Sequence, residues 1–407
     1  MIRFDGINES DKFNDRSGFA GSVVSRPLYS PYVEISLDNI LHNIAQIRSA
    51  LPRRVGIIAV VKDCSYGCAS VEIAKTLERD GGIDFFAVAR PREAFVLRQA
   101  GIVKPILVLG MAEESELRSG VDKDVIFTLN DLSDVERWKL YDIDIRFHLN
   151  IDTGMSRMGI LPSETDSIIE AVKSTPSLWM DGVFTHMACA DEPDTSSVSQ
   201  QLEKFTKCVD KIRKAGLSPT HIHYENSATF LRFPSTNCTL VRPGISLYGC
   251  KPDPAQNFDI NLKPVASLIS RVAKMKKVPA GTPVSYGWNY VAPSDTWIAT
   301  IPLGYAHGLP RFLSNRGMVL INGSRYRIAG NVTMDYIMAD VGANPSVSTG
   351  DEVVAIGSQG DETITPDDIA IIGGTIGYEI ICNLGTSIPR FYTRNGETVH
   401  RDFGVIL

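Results

Sequence analysis

The residue with the clearest chemical potential is a lysine at the end of an apolar segment. Residues 56–61 read Gly-Ile-Ile-Ala-Val-Val, and Lys62 follows directly, shortly before Tyr66. A short apolar run of this kind is typical of a buried parallel strand, which would place the Lys62 amine where the strand opens into a cavity. A solvated lysine would also fit this position. The alternative is a lysine that burial keeps partly neutral, so that its amine can bond to a carbonyl compound.

Other polar residues follow later apolar segments in the same way. Taken singly, each has an ordinary explanation, such as a buried histidine that completes a core hydrogen bond. Together they indicate one site at the strand ends, formed by Lys62, Arg157, His186, Ser227 and Arg242. Ser227 and the backbone amides of Gly244 and Ile245 could form a phosphate-binding cup. A lysine beside a phosphate cup suggests pyridoxal phosphate.

The elements that must position these residues can be predicted from the pattern of apolar segments. Strands are expected at residues 57–61, 85–89, 106–110, 125–128, 146–150, 182–186, 221–225 and 241–245. The segments between these strands have apolar residues at helical spacing. Ser36 or Asp38 is expected to cap a first helix, which buries Ile40, Leu41, Ile44, Ile47 and Leu51. Eight such units predict an α/β fold, a (β/α)8 TIM-type barrel, with a doubly wound sheet as the alternative.

The composition of the chain changes after about residue 263. Short segments that alternate apolar and polar residues, with frequent Gly, Pro and Asn between them, predict strands at 266–278, 296–301, 317–321, 325–330, 338–341 and 352–356. We therefore expect an N-terminal arm at 1–30, a barrel at 31–263 and a mostly antiparallel β C-terminal domain at 264–407. Polar clusters at 284–287, 304–308, 333–335 and 389–392 exceed what a purely structural sheet needs.

Composition and charge exclude several classes of protein. The 407 residues carry a net charge of -6, which argues against a nucleic-acid partner. The seven cysteines lack paired CxxC spacing, so neither a disulfide framework nor a metal site is favoured, and free thiols in a reducing compartment are expected. Residues 1–30 contain no apolar run of secretory length, and no later segment is long enough to span a membrane. We expect a cytoplasmic protein.

Ten short motifs, in order, resemble those of the alanine racemase family. They read VVK-x3-YG, N-x-DTGM-x-RMG, FTH, H-x2-NS, RPGI-x-LYG, LKPV-x-SL, VSYG, GYA-x-G, MD and IPRFY, and they span nearly all of residues 31–400. The resemblance implies a fold-type III pyridoxal-phosphate isomerase, with L-alanine and D-alanine as the favoured substrates and cell-wall precursors as the use of D-alanine.

Three alternatives stay open beside alanine racemisation. Serine or a broad set of amino acids could be the substrate. A fold-type III decarboxylase has the same domain plan, but the chain lacks a match to its C-terminal cysteine-and-aspartate segment. A non-catalytic pyridoxal-phosphate carrier is a lone barrel, and the second domain counts against it.

The resemblance implies a two-base mechanism. Lys62 would bind the cofactor covalently and act as one base, and Tyr286 of a partner subunit would be the other. Two bases are needed because the Cα proton must leave one face of the substrate and return on the opposite face. Arg242 would lie against the pyridine nitrogen with His223 behind it. Positive charge on His186 and Arg242 would help a phenol, whose ordinary pKa is about 10, to ionise.

The resemblance also assigns the remaining contacts. The cofactor phosphate would be held by Tyr66, Ser227, the amides of Gly244 and Ile245, and Tyr392. Arg157 would contact the cofactor's phenolic oxygen and the substrate carboxylate. Met334, Asp335 and Tyr305 would complete the substrate site, with Tyr305 narrowing its entrance. Because Tyr286 and Met334 would reach another chain's barrel, a homodimer with shared active sites is implied.

Some positions depart from the family's usual motifs. Asp63-Cys64-Ser65 is more polar than the usual segment between the lysine and the tyrosine. Asn150 stands where many members have a carbamylated lysine, so Arg157 would be oriented by the Asn150 amide or by an anion. Glu225 and His307 replace a small residue and an aspartate. These departures keep the catalytic groups and bear on substrate range.

Overall fold

A computed structural model describes residues 26–27, 30–233, 237–256, 258–385 and 387–403 of the chain. The predicted N-terminal arm, residues 1–30, therefore lies almost entirely outside the described residues. Within the described ranges, no helix has both the length and the apolar character needed to cross a bilayer. All seven cysteines are free thiols.

Eight parallel strands form the first sheet. They are β2 (Gly56–Val60), β3 (Phe85–Val88), β4 (Ile106–Val108), β5 (Val125–Leu129), β6 (Ile145–Asn150), β7 (Leu178–Phe184), β8 (His221–His223) and β9 (Leu240–Val241). Each overlaps one predicted strand. β9 pairs with β2, and the Thr239 N–H donates to the Ile222 carbonyl at 2.8 Å, which links β9 to β8. The predicted (β/α)8 barrel is confirmed.

Helices alternate with the barrel strands. They are α1 (Leu37–Ala50), α2 (Lys62–Tyr66), α3 (Ser70–Asp80), α4 (Pro91–Gln99), α5 (Glu114–Val121), α6 (Leu132–Lys139), α7 (Thr165–Lys173), α8 (Ser196–Lys214) and α9 (Ser227–Arg232). The Ser36 hydroxyl caps α1, because it accepts a hydrogen bond from the Asn39 N–H at 3.1 Å. As predicted, α1 buries Ile40, Ile44 and Ile47. Leu41 is only partly buried, against the same core.

The second sheet is built mainly from the C-terminal half of the chain. Its strands are β1 (Tyr32–Ser36), β10 (Ala266–Arg271), β11 (Lys274–Val278), β14 (Thr296–Ile301), β15 (Met318–Ile321), β16 (Ser324–Ile328), β17 (Ile337–Asp340), β18 (Glu352–Gln359), β19 (Glu362–Ile364), β20 (Arg390–Arg394) and β21 (Glu397–Asp402). Only the β1–β20 pair among these is parallel. β12 (Pro283–Val284) and β13 (Tyr290–Val291) form a separate ribbon. Two helices, α10 (Pro366–Gly373) and α11 (Gly377–Cys382), precede β20.

Two features of this sheet differ from the predicted strands. β1, which the prediction includes in the barrel segment 31–263, lies in the second sheet between β10 and β20. The segment predicted as one strand, 266–278, is two strands. They separate because the Val272 N–H donates to Asp351 while the Ala273 N–H donates to Thr300 on β14, so the chain changes neighbours there. The domain boundaries themselves stay a prediction.

Candidate active site

A cavity of about 420 Å³ opens at the carboxyl ends of the barrel strands. Its position is the one that barrel enzymes use for catalysis, because side chains from successive strands converge there. Eight residues predicted for the site line it: Lys62, Tyr66, Arg157, His186, Ser227, Arg242, Gly244 and Ile245. A ninth, His223, lies behind Arg242, whose guanidinium donates to His223 Nδ1 at 2.7 Å.

The short element α2, which begins at the predicted lysine, is a left-handed turn and not a regular right-handed helix. Residues 63–66 have φ angles between 51° and 54°, which cost non-glycine residues roughly 1–2 kcal/mol each. The Glu93 carboxylate accepts a hydrogen bond from the first N–H of this turn at 2.7 Å, and Arg390 donates to the Gly67 carbonyl at 3.0 Å. Gly67 is required because a Cβ there would lie 2.3 Å from the Ile381 carbonyl. Strain held in this way is typical of functional sites.

The turn brings Tyr66 to a cup of small polar groups. The Gly244 N–H donates to Ser227 Oγ at 3.0 Å, and Ser227 Oγ lies 3.1 Å from Ser246 Oγ. A Cβ at Gly244 would be 2.5 Å from the Tyr66 hydroxyl, so only glycine leaves room for that hydroxyl. Hydroxyl and amide donors that converge in this way suit a phosphate group.

The structure does not bring Tyr392 to this cup. Tyr392 is buried in β20, where its hydroxyl donates to the Cys68 carbonyl at 3.3 Å. Tyr378 of α11 lines the cavity instead, with its ring centroid 6.1 Å from that of Tyr66. The prediction missed Tyr378 because it is on a short helix of the second domain, outside the strand ends and the polar clusters. Its sequence signal was only an aromatic residue in a helical segment.

Arg242 is the buried cation of the cavity. Its guanidinium donates to the Thr185 carbonyl at 2.8 Å and to His186 Nδ1 at 3.3 Å, in addition to His223. The Phe184 ring lies 5.3 Å from the guanidinium carbon, in a cation–π contact. Burial lowers the pKa of Arg242 to about 10, so the side chain is still charged at neutral pH.

His186 differs from its predicted role as a cation. Burial, together with the charges of Arg242, Arg157 and Lys62, lowers the pKa of His186 to about 3. The imidazole is therefore neutral at physiological pH. It accepts a hydrogen bond from Arg242 instead of adding a positive charge of its own.

Acid is expected to destabilise the cofactor-free protein through His186. The pKa of His186 is about 3 in the folded chain and 6.5 in the unfolded one, so the unfolded chain binds more protons between these values. This stabilisation is complete above pH 6.5 and is lost as the pH falls toward 3. At about pH 5 the loss should be roughly 1–2 kcal/mol, allowing for partial exposure of the ring. Urea unfolding at neutral and acidic pH measures it, and His186→Gln should weaken the pH dependence. Identical pH dependence in both proteins would contradict the assignment.

The predicted residues of the second domain do not reach the cavity of their own chain. Among the described residues that line the cavity, none is Tyr286, Met334, Tyr305 or Asp335. Tyr286 is 75% exposed, Met334 54% and Tyr305 43%, and Asp335 is also exposed. These side chains are therefore accessible to another molecule.

The positions that depart from the family motifs also have defined surroundings. Asn150 lines the cavity near Arg157, and its amide donates to Asn130 Oδ1 at 2.9 Å. Glu225 is fully buried, two residues before Ser227 of the cup. His307 Nδ1 accepts a hydrogen bond from the Gly304 N–H at 3.0 Å, and its Nε2 lies 3.9 Å from Asp335. His307 thus supports the loop that carries Tyr305.

The donor set of the cavity fits pyridoxal phosphate. The Lys62 amine can bond to the aldehyde, the cup around Gly244 suits the phosphate, and Arg242 can face the ring nitrogen. The space above Gly244, which a Cβ would fill, is consistent with close approach of a bound group. A barrel, an adjoining β-sheet and this set of side chains define a pyridoxal-phosphate enzyme of fold-type III.

Comparison with known proteins gives the family. The model of the alanine racemase N-terminal domain matches residues 35–252, and that of the C-terminal domain matches residues 265–392. The chain belongs to the alanine racemase family. The predicted family, the class of enzyme (an amino-acid racemase) and the use of pyridoxal phosphate are thereby confirmed.

Individual relatives match over nearly their full length. The alanine racemase of Carboxydothermus hydrogenoformans is 41% identical over 372 residues, which cover 90% of this chain and 100% of that protein. The alanine racemase of Halothermothrix orenii is 39% identical over 91% of this chain and 97% of that protein. The crystal structure of alanine racemase from Bacillus anthracis, solved with bound L-Ala-P, is 36% identical, with a TM-score of 0.86 over 93% of this chain and 98% of that one.

Proposed function

We propose that the protein interconverts L-alanine and D-alanine with pyridoxal phosphate as cofactor. The observation that carries the proposal is the convergence of Lys62, the Ser227–Gly244 cup and the buried Arg242 on one cavity. The relatives named alanine racemase support the choice of alanine over serine or a broader set of amino acids. Incubation with L-alanine should yield D-alanine. Carbon dioxide release, a preference for serine, or no turnover would each overturn the proposal.

Each cavity residue has a task in this proposal. Lys62 would bind the cofactor covalently, and the Tyr66 hydroxyl, Ser227 and the amides of Gly244 and Ile245 would hold its phosphate, with Tyr378 in the place predicted for Tyr392. When bound, the cofactor supplies an electron-withdrawing ring that acidifies the substrate Cα–H. Arg242 would face the ring nitrogen and restrain side reactions, since a guanidinium of pKa about 10 has little tendency to give up a proton.

Two bases on opposite faces of the substrate carry the proton transfer. Lys62 serves one face from the barrel, and Tyr286 of a partner subunit serves the other. Arg157 binds the substrate carboxylate together with the partner's Met334, while Tyr305 and Asp335 border the entrance. This arrangement separates proton removal from proton return, which racemisation requires.

A homodimer is the assembly that this division implies. The second domain exposes several large side chains near the predicted base: Tyr286, Trp288, Val291, Met334 and Tyr336. Covering such a surface with a second copy is favourable. A two-fold dimer is the smallest closed assembly in which each cavity receives a tyrosine from the other subunit. We propose the cytoplasm as the compartment, in accord with seven free thiols.

Mixing two inactive variants tests the shared site. Lys62→Ala and Tyr286→Phe chains should each be inactive alone, but half of the randomly formed dimers are hybrids with one intact site of two. About a quarter of the wild-type activity should therefore return after subunit exchange. A mixture of wild-type chain with the double variant, which can form no intact site in hybrids, is the matched control. No recovery after verified exchange would show that both bases come from one chain.

A further inference from the structure

A line of buried hydrogen bonds runs from Arg242 into the barrel wall. Arg242 Nη1 lies 2.7 Å from His223 Nδ1, His223 Nε2 lies 2.8 Å from His148 Nδ1, and His148 Nε2 lies 3.3 Å from Asp181 Oδ2. Both histidines are fully buried and Asp181 is 2% exposed. The line crosses three neighbouring strands, β8, β6 and β7, and leads away from the cavity.

Only one placement of protons satisfies all three hydrogen bonds. An arginine can only donate, so His223 Nδ1 must accept and the ring proton of His223 must be on Nε2. That proton is donated to His148 Nδ1, which leaves the proton of His148 on Nε2, facing the carboxylate. Burial lowers the pKa of both histidines, so each carries a single ring proton at neutral pH. Every donor in the line therefore points from Arg242 toward Asp181.

Asp181 is held as an anion at the far end. Burial alone would raise its pKa, but the hydrogen bond from His148 and the charge of Arg146 hold the pKa below its usual value. Arg146 Nη2 lies 2.8 Å from the same carboxylate oxygen. The guanidinium of Arg146 in turn lies 5.0 Å from the Trp179 ring. His221 Nε2 is also close, at 3.9 Å from Asp181, but it contributes no bond to the line.

Packing prevents the rings from turning over. A Cβ at Gly182 would lie 2.7 Å from His148 Nδ1, so the backbone of β7 lies directly against that ring. Two residues further along β7, the Phe184 ring stacks on His223 with centroids 5.0 Å apart and an interplanar angle of 7°. Each imidazole is therefore fixed in orientation, and its tautomer is fixed by its two neighbours.

We propose that His148 and Asp181 are positioning residues that lock His223 in its Nε2–H tautomer and so hold Arg242 in place for the cofactor ring. The inference rests on the proposed function, in which Arg242 faces the ring nitrogen. A buried guanidinium needs hydrogen-bond acceptors around it. If the His223 tautomer changed, Nδ1 would become a donor facing the guanidinium, and the two groups would repel each other. The Asp181 carboxylate can only accept a hydrogen bond. It therefore stabilises the proton placement in which His148 donates to Asp181, His223 donates to His148, and His223 Nδ1 is left to accept from Arg242.

Ring-nitrogen NMR of cofactor-free protein with ¹⁵N-labelled histidine tests the tautomers directly, and the chain has seven histidines to assign. His148 and His223 should both show the Nε2–H pattern at neutral pH. An Nδ1–H pattern on either ring would overturn the proposal. This measurement needs no cofactor, so it tests the tautomers independently of the proposed function. Failure of the wild-type protein to bind pyridoxal phosphate would count against the proposed function and not against the tautomers.

Two substitutions of equal size at His148 test the link to Arg242. His148→Asn keeps an oxygen acceptor at the position of Nδ1, whereas His148→Leu removes it. His148→Leu should give a mixture of His223 tautomers and bind pyridoxal phosphate about tenfold more weakly, the effect of one hydrogen bond to a charged network. His148→Asn should keep the Nε2–H tautomer and near wild-type affinity. A mixed tautomer in His148→Asn, or wild-type behaviour in a folded His148→Leu, would overturn the proposal.

His221→Asn is the matched control for these variants. His221 stacks on His148 with centroids 5.8 Å apart and borders Asp181, but it is outside the hydrogen-bonded line. Its replacement should leave the His223 tautomer and the affinity for pyridoxal phosphate unchanged. Equal weakening in His221→Asn and His148→Leu would mean that general packing of the buried cluster, and not the direction of the line, supports Arg242, and the proposal would fall.

Discussion

Replacing Lys62 with alanine should abolish racemisation and covalent retention of the cofactor together. Lys62 is the only lysine among the described residues that line the cavity, so no second amine is placed to take over either task. The loss in turnover should be at least about a thousandfold, because both covalent attachment and a base are removed. In the wild-type protein, borohydride reduction of the pyridoxal-phosphate complex should fix the label on a peptide that contains Lys62.

The surface residue Lys75 provides the control for this substitution. Lys75 is on α3, where its amine lies 3.1 Å from Glu72, and its side chain is 46% exposed. Lys75→Ala should keep both activity and label. A label on any other lysine, or turnover within tenfold of wild type in Lys62→Ala, would refute the role of Lys62.

The barrel and most of the site were predictable because of how parallel strands are buried. Strands covered on both faces need continuous apolar segments, and β2 is such a segment, with four of its five residues buried. The end of each segment therefore marks the edge of the sheet. Polar residues at these ends, such as Lys62 and Arg242, could be assigned to one cavity without knowledge of the loops between them.

Contacts made across long separations in sequence were not predictable in this way. Tyr378 reaches the cavity only because α11 of the second domain packs near the turn after Lys62, where Ile381 contacts Gly67. β1 alternates apolar and polar residues like a strand with one buried face, but its partners β10 and β20 are more than 200 residues away. Local pattern contains no information about which distant segment completes a sheet or a cavity.

Protonation states were equally hidden, because they depend on burial and not on residue type. His186 is a strand-end histidine like many catalytic cations, yet desolvation beside Arg242 keeps it neutral. His148 and Asp181 are ordinary members of β6 and β7 in the sequence. Their role became visible only when the register of the strands placed them in line with His223.

Tyr286→Phe should remove one of the two proposed bases while keeping its ring, and the result should differ between the two enantiomers. Racemisation should fall by about 10²- to 10⁴-fold in both directions, because each direction needs one proton removal and one return. Exchange of the Cα proton needs only one face. With Lys62 serving D-alanine and Tyr286 serving L-alanine, as the resemblance to the alanine racemase family implies, the variant should still exchange the Cα deuterium of D-alanine and nearly lose exchange from L-alanine.

Proton NMR of each deuterated enantiomer, incubated separately in water with the variant, measures this asymmetry. Tyr336→Phe is the matched control, since Tyr336 is another exposed tyrosine of the second domain, at 48% exposure, that has no proposed catalytic role. It should leave exchange from both enantiomers near the wild-type rates. Equal residual exchange from both enantiomers in Tyr286→Phe would show that a single mobile base or water serves both faces. In that case the tyrosine on the second domain would not be the base for L-alanine.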